Sequence, residues 1–204
     1  MKIKNVVFFF LIPSLFLSNI PLDRIQKKID KEIKSTFEIE NYTIELLLIS
    51  DSISKSLPVL FNNNFKKIYS NKILVGYSYY SKASSLYNLF DYLIILDADL
   101  KIKKSKILIY REDYGGEIAS KRWLRQFIGK SWTDKFIYSK DVSAISGATI
   151  SVKSMINAVE NFMSSIKILD KKNTLGFYAN LNQLKSIKEL NKDTFENIRL
   201  RFKI

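Results

Sequence analysis

The sequence predicts an α+β fold: a twisted, largely antiparallel sheet with packed helices, preceded by an N-terminal signal or anchor segment. Three patterns carry this expectation. Runs rich in β-branched and aromatic residues, separated by Asn and Asp turns, follow one another between residues 65 and 110. Segments 23–40 and 152–166 repeat apolar residues at helical spacing. A long uncharged run, "NVVFFFLIPSLFLSNIPL", occupies Asn5 to Leu22.

Lys2 and Lys4 put positive charge ahead of that run, and Pro13 and Pro21 interrupt it. This favours the apolar region of a signal peptide over a full membrane span. No A-x-A cleavage site follows, so an uncleaved anchor stays open. Either way the expectation is an exported chain, periplasmic or anchored facing the periplasm. Residues 1–22 are then leader or anchor, 23–40 a helical lead-in, and 41–204 the domain.

The lead-in places Ile25, Ile29, Ile33 and Phe37 four residues apart, a narrow apolar helix stripe that packs on the domain or lifts it from a membrane. Tyr42 to Ser50 reads as a strand or buried segment. Asn62, Asn63 and Asn64 form a turn. Two strands follow around Ser70-Asn71, with Gly76 at a close approach or bulge. The clearest hairpin has Tyr92 to Leu96 outward, Asp97-Ala98-Asp99 turning, and Ile102 to Tyr110 returning. Asp97 and Asp99 are read as turn formers rather than a metal pair. From Glu117 the spacing becomes helical, with Ala119, Trp123, Leu124, Phe127 and Ile128 on one face and Gly129 as the stop. Trp123 and Phe127 belong to the core on this pattern. A second helix follows on Val152, Met155, Ile156, Val159, Phe162, Met163 and Ile166. Beyond Lys171, residues 181–190 suggest a short helix and 197–204 a last strand.

The chain contains no His and no Cys, and its formal net charge is +13. Disulfides, thiolate or imidazole metal sites and His-based nucleophile activation are thereby excluded. Lys is dispersed, Arg is scarce, and no basic stripe alternates with aromatics, so no nucleic-acid partner is expected. The densest basic cluster, Lys101 to Lys106, sits beside the expected hairpin turn.

Between the two long helical patterns, "SAISGATISVKS" (Ser143 to Ser154) turns abruptly to small residues. It sits directly before a helix, whose first turn leaves N–H groups unpaired and carries partial positive charge. Gly147 and Ala148 allow close backbone approach, and Thr149 adds a hydroxyl, so the local chemistry suits an anion such as phosphate. The plainer alternative is that Ser146, Thr149 or Ser151 simply caps the helix while Gly147 makes the turn.

This stretch resembles the signature of the FMN-binding domain family, approximately D-[AGS]-[IV]-[ST]-G-A-T-x-[ST], over Ser143 to Ser151. The family comprises covalently flavinylated envelope subunits of the sodium-pumping NADH:quinone oxidoreductase and the related Rnf complex. "VGYSYY", the hairpin ending at Glu112, and "FIGKSW" extend the resemblance to about residues 72–165. It implies FMN as cofactor, esterified through its phosphate to Thr149 by a separate FMN transferase. Ser146, Gly147, Ala148, Ser151, Glu112, Gly115 and Gly116 would line the flavin site. It further implies an electron carrier serving a membrane or envelope redox partner rather than a stand-alone enzyme. Two positions depart from the pattern. The family Asp six residues before the Thr is Ser143 here, and the family loop E-T-P-G-x-G reads "EDYGGE" from Glu112. A non-redox envelope binding or structural protein that keeps the fold without flavin is the alternative these departures favour.

Overall fold

A computed structural model of the chain describes residues 22–61, 63–172, 174 and 175. The expected leader, and the helix and strand expected beyond residue 180, lie outside the described residues. Five strands pair in sequence order, each antiparallel to the next: β1 (Thr43–Leu46), β2 (Phe65–Ser70), β3 (Ile73–Ser84), β4 (Leu89–Asp97) and β5 (Ile102–Ile109). Two long helices, α1 (Leu22–Phe37) and α4 (Thr149–Lys171), cover the opposite faces of this meander; the short helix α2 (Asp51–Ser54) lies between β1 and β2 in the chain, and α3 (Lys121–Leu124) between β5 and α4.

Alternation along β4 shows how one strand serves two cores. Phe90, Tyr92, Ile94 and Leu96 point to the α4 side, whereas Leu93 and Ile95 join the α1 side, and all six are buried. On the α4 side, the full predicted stripe from Val152 to Ile166 is buried. Phe162 stacks on Tyr79 with ring centroids 4.4 Å apart and meets Phe61 and Phe65 edge-on. Each such fully buried apolar side chain contributes about 1.5–3 kcal/mol before entropy is subtracted.

On the other face, Ile29 and Ile33 of α1 pack with Ile68, Leu93, Ile95 and Leu108, and Ile25 and Phe37 flank them. The helix runs antiparallel to β5. Lys28 Nζ donates to Leu108 O at 2.7 Å, Glu32 pairs with Lys104 and Lys106 at 3.3 and 3.7 Å, and Lys103 lies over the Phe37 ring. The lysine cluster is therefore held mainly along β5 against this helix. Of the two roles open to the lead-in, the structure shows packing on the sheet.

Three local expectations are refined. Thr43–Leu46 is an exposed edge strand rather than a buried segment. The helix expected from Glu117 is broken into a 3₁₀ turn (Gly116–Ala119), the four-residue α3 and a second 3₁₀ turn (Arg125–Phe127). The break falls at Ser120, whose extended backbone (ψ 141°) lets its hydroxyl accept from Trp123 N. Trp123, Leu124 and Phe127 are buried as expected, whereas Ile128 is exposed. The Asp97 turn forms as read: its carboxylate accepts from Lys101 N at 2.9 Å. Burial outweighs these contacts and raises the Asp97 pKa.

Gly76 is the close approach. A Cβ there would lie 2.1 Å from Leu96 O and 2.6 Å from the Phe37 ring. Gly76→Ala should therefore force β3 from β4 and lower the free energy of unfolding by about 1–3 kcal/mol. Urea denaturation measures this; an unchanged midpoint and slope would contradict the close packing.

Candidate functional site

Helix α4 opens at Thr149, and no side chain caps it. Its N-cap position is filled by Ala148, among the poorest residues for that role. Val152 N closes the first helical bond, to Ala148 O at 2.9 Å. The N–H groups of Thr149, Ile150 and Ser151 find no acceptor among the described residues. Three unpaired donors and the positive end of a 23-residue helix thus meet at one point. The plainer expectation, a helix capped by Ser146, Thr149 or Ser151, is not what forms. Ser151 turns inward, buried, with its hydroxyl 3.0 Å from that of Tyr110, while Thr149 is exposed.

The loop leading into the helix is held from beneath by the core. Trp123 Nε1 donates to Ser143 O at 2.8 Å, and Ser143 N donates to Gln126 Oε1 at 2.8 Å. Gln126 in turn donates to Trp123 O at 2.9 Å. These bonds grip the Ser143 backbone and leave its side chain exposed. The nearest acid, Asp141, is occupied in its own turn, accepting from Ile137 N at 3.0 Å. Gly147 then takes φ +76°, a conformation that favours glycine, with open space where a Cβ would stand.

Thr149 lies on the wall of a cleft of about 420 Å³, within the range of small-molecule sites. Gly147, Ala148, Thr149, Ile150 and Ser151 form one side. Leu86 and Tyr87, from the turn between β3 and β4, and the segment around Tyr110, Glu112, Asp113 and Tyr114 form the rest. Of the expected residues, Thr149, Gly147, Ala148, Ser151 and Glu112 come together here; Ser146, Gly115 and Gly116 do not line the cleft. Gly115 stands behind it: at φ +75°, a Cβ there would lie 2.4 Å from the Ala148 Cβ, so the post-β5 loop can seat against the helix start. Leu86, Tyr87 and Tyr110 were not read as site residues. Leu86 and Tyr87 signal only as two large side chains at a Ser- and Asn-flanked turn, and Tyr110 only as the end of the returning strand.

Glu112 closes the far wall. Its Oε1 accepts from the Ser85 hydroxyl and from the backbone N–H groups of Tyr87 (3.0 Å) and Asn88 (2.8 Å). The Ser85 bond, followed by these amides, holds its carboxyl below its ordinary pKa. The neighbouring Arg111 reaches through to the other face, with Nη2 2.5 Å from buried Asp91 in an ion contact without hydrogen-bond alignment. Its Nη1 donates to Leu89 O at 2.5 Å, and Tyr80 also donates to Asp91. Burial first, and then that bond, raise the Tyr80 pKa. Tyr110, Arg111 and Glu112 therefore fasten helix, sheet and turn to one another within three residues.

Residues 90–164 match the model of the FMN-binding domain family. The fold is similar to that in the crystal structure of Shewanella oneidensis NqrC, with a TM-score of 0.54 over 78% of this chain and 100% of that one, at 14% identity. At that identity the likeness speaks for the fold alone. No curated protein matches the sequence. The matched residues run from β4 into α4 and lie within the span 72–165 read from the motifs. The match is to a domain that binds FMN, and FMN is the cofactor that it supports. The donor set fits a phosphate-bearing ligand: unpaired helix N–H groups, an exposed hydroxyl, and a glycine that leaves room beside both.

Because Glu112 has a lowered pKa in the folded chain, folding releases protons as pH falls toward the carboxylate range. Its stabilisation is present above the ordinary glutamate value of about 4.3 and is lost as pH falls through the lowered folded value. Glu112→Gln should remove that part of the acid dependence. Denaturation midpoints compared across the acid range would test this, and parallel profiles for the two proteins would refute it.

Proposed function

We propose that this FMN-binding domain protein is an exported electron carrier in which FMN is joined by a phosphoester to Thr149. One observation carries the linkage: Thr149 exposes its hydroxyl at the first residue of an uncapped helix, inside the cleft. A phosphodiester on that oxygen would keep one negative charge, which the unpaired N–H groups of the first turn and the helix dipole would stabilise. Gly147 would let the backbone approach without obstruction. When bound, FMN supplies the transfer of one or two electrons; the chain supplies anchoring and orientation.

The absence of His and Cys is compatible with this role, because no side chain needs to act as acid, base or nucleophile during electron transfer. Attachment is different. Among the described residues nothing is hydrogen-bonded to the Thr149 hydroxyl to activate it. We therefore assign the ester-forming step to a separate FMN transferase: it brings FMN as one half of a phosphoanhydride, the Thr149 oxygen forms the new P–O bond as the anhydride P–O bond breaks, the other phosphate-bearing half leaves, and the transferase takes up the threonine proton. Covalent attachment suits an envelope compartment, where lost FMN is hard to replace. The uncharged run Asn5 to Leu22 supports export, and a membrane or envelope redox partner follows from that location.

Ser143 and the "EDYGGE" loop favour a second reading, an envelope binding protein that keeps this fold without flavin. Flavin absorbance in protein from its native host separates the two.

Coexpression with an FMN transferase in an envelope compartment should raise the intact mass by one FMN less water. Thr149→Val should abolish the rise, and an unmodified wild-type chain would refute the linkage. Ser143→Asp should increase the modified fraction if the family acid contributes to transferase recognition; equal loading would show that Ser143 suffices.

A further inference from the structure

We propose that Tyr87 is the aromatic wall of the flavin site and that Glu112 is the positioning residue that holds it there. This inference rests on the FMN reading above and goes beyond it, because the β3–β4 turn lies outside the residues matched to the family.

Tyr87 is 83% exposed and its neighbour Leu86 58%, yet both line the same cleft as Thr149. Exposed apolar side chains at a turn tip are ordinarily mobile and cost little to replace. This turn is instead tied at every residue but Leu86. Ser85 N donates to Asn88 O at 2.8 Å, and the Ser85 hydroxyl lies within reach of both Asn88 O (2.7 Å) and Glu112. Tyr87 N and Asn88 N both donate to Glu112 Oε1, and the Asn88 amide donates to Arg111 O at 3.2 Å. Arg111 is in turn held by Asp91 and Leu89 O across the sheet.

A single carboxylate oxygen thus fixes the backbone on which the Tyr87 ring is carried. Such anchoring reduces the ordering cost of binding, which is how a rigid aromatic surface is usefully presented to a ligand. The ligand chemistry follows from the two walls. Thr149 and the helix start take a phosphate, and the same cleft is lined by the Tyr87 side chain, whose ring suits a flat conjugated partner. FMN has both parts. Tyr114 lines the cleft as well, on the loop after β5, but Tyr87 is the ring whose own N–H is bound by Glu112.

The test uses the full chain carrying flavin, with intact mass read first. Tyr87→Ala should leave the adduct in place and raise iodide quenching of flavin fluorescence from the protected wild-type level toward that of free FMN. Tyr87→Phe should restore protection, because the ring and not the hydroxyl is required. Glu112→Gln and Glu112→Ala should raise quenching in the same direction and speed hydrogen exchange at the Tyr87 and Asn88 amides even in the flavin-free chain. Adduct present with quenching unchanged in Tyr87→Ala would overturn this inference alone. Unaltered amide exchange in both Glu112 variants would overturn the positioning role. A wild-type chain that carries no flavin would overturn both this inference and the function on which it rests.

Discussion

The arrangement depends on the burial of one face of α4 against the sheet. Val152, Met155, Val159, Phe162 and Ile166 are fully enclosed, so the helix cannot slide or rotate without opening the main core. That constraint fixes the position of its first turn as surely as its last. The Ser151–Tyr110 bond and the contact between Gly115 and Ala148 lock the start of the helix to the end of β5. An uncapped helix terminus is normally a small instability. Here it is held still by packing elsewhere, and its free donors become a stationary electrostatic feature rather than a fraying end.

The same logic explains what was legible in the sequence. The α4 stripe and the β4–β5 hairpin are local patterns, periodic over neighbouring residues, and burial on one side enforces them. The Ser143 to Ser151 loop was legible because its run of small residues ahead of a helix matches a longer family signature; small residues alone would equally have suited a simple cap and turn. The helix expected from Glu117 was not resolved into its pieces, since Ser120 offers the backbone a competing bond that periodicity does not register. The far wall of the cleft was invisible for a different reason. Tyr87 meets Glu112 across 25 residues of chain, and nothing near Tyr87 in sequence announces that its N–H is taken by a distant carboxylate. Glu112 was found only through family resemblance, without its structural role. Gly115 shows the converse: glycine was rightly expected near the site, but it serves packing behind Ala148.

The outer helix adds a directional constraint. Contacts of α1 with β5 proceed from Lys28 at Leu108, through Glu32 at Lys104 and Lys106, to Phe37 near Lys103. The start of α1 therefore lies toward the end of β5 that continues into Tyr110 and Glu112, the cleft end of the sheet. At 16 residues the helix is about 24 Å long, and from Ile25 to Phe37 it packs along the sheet instead of extending from it as a stalk.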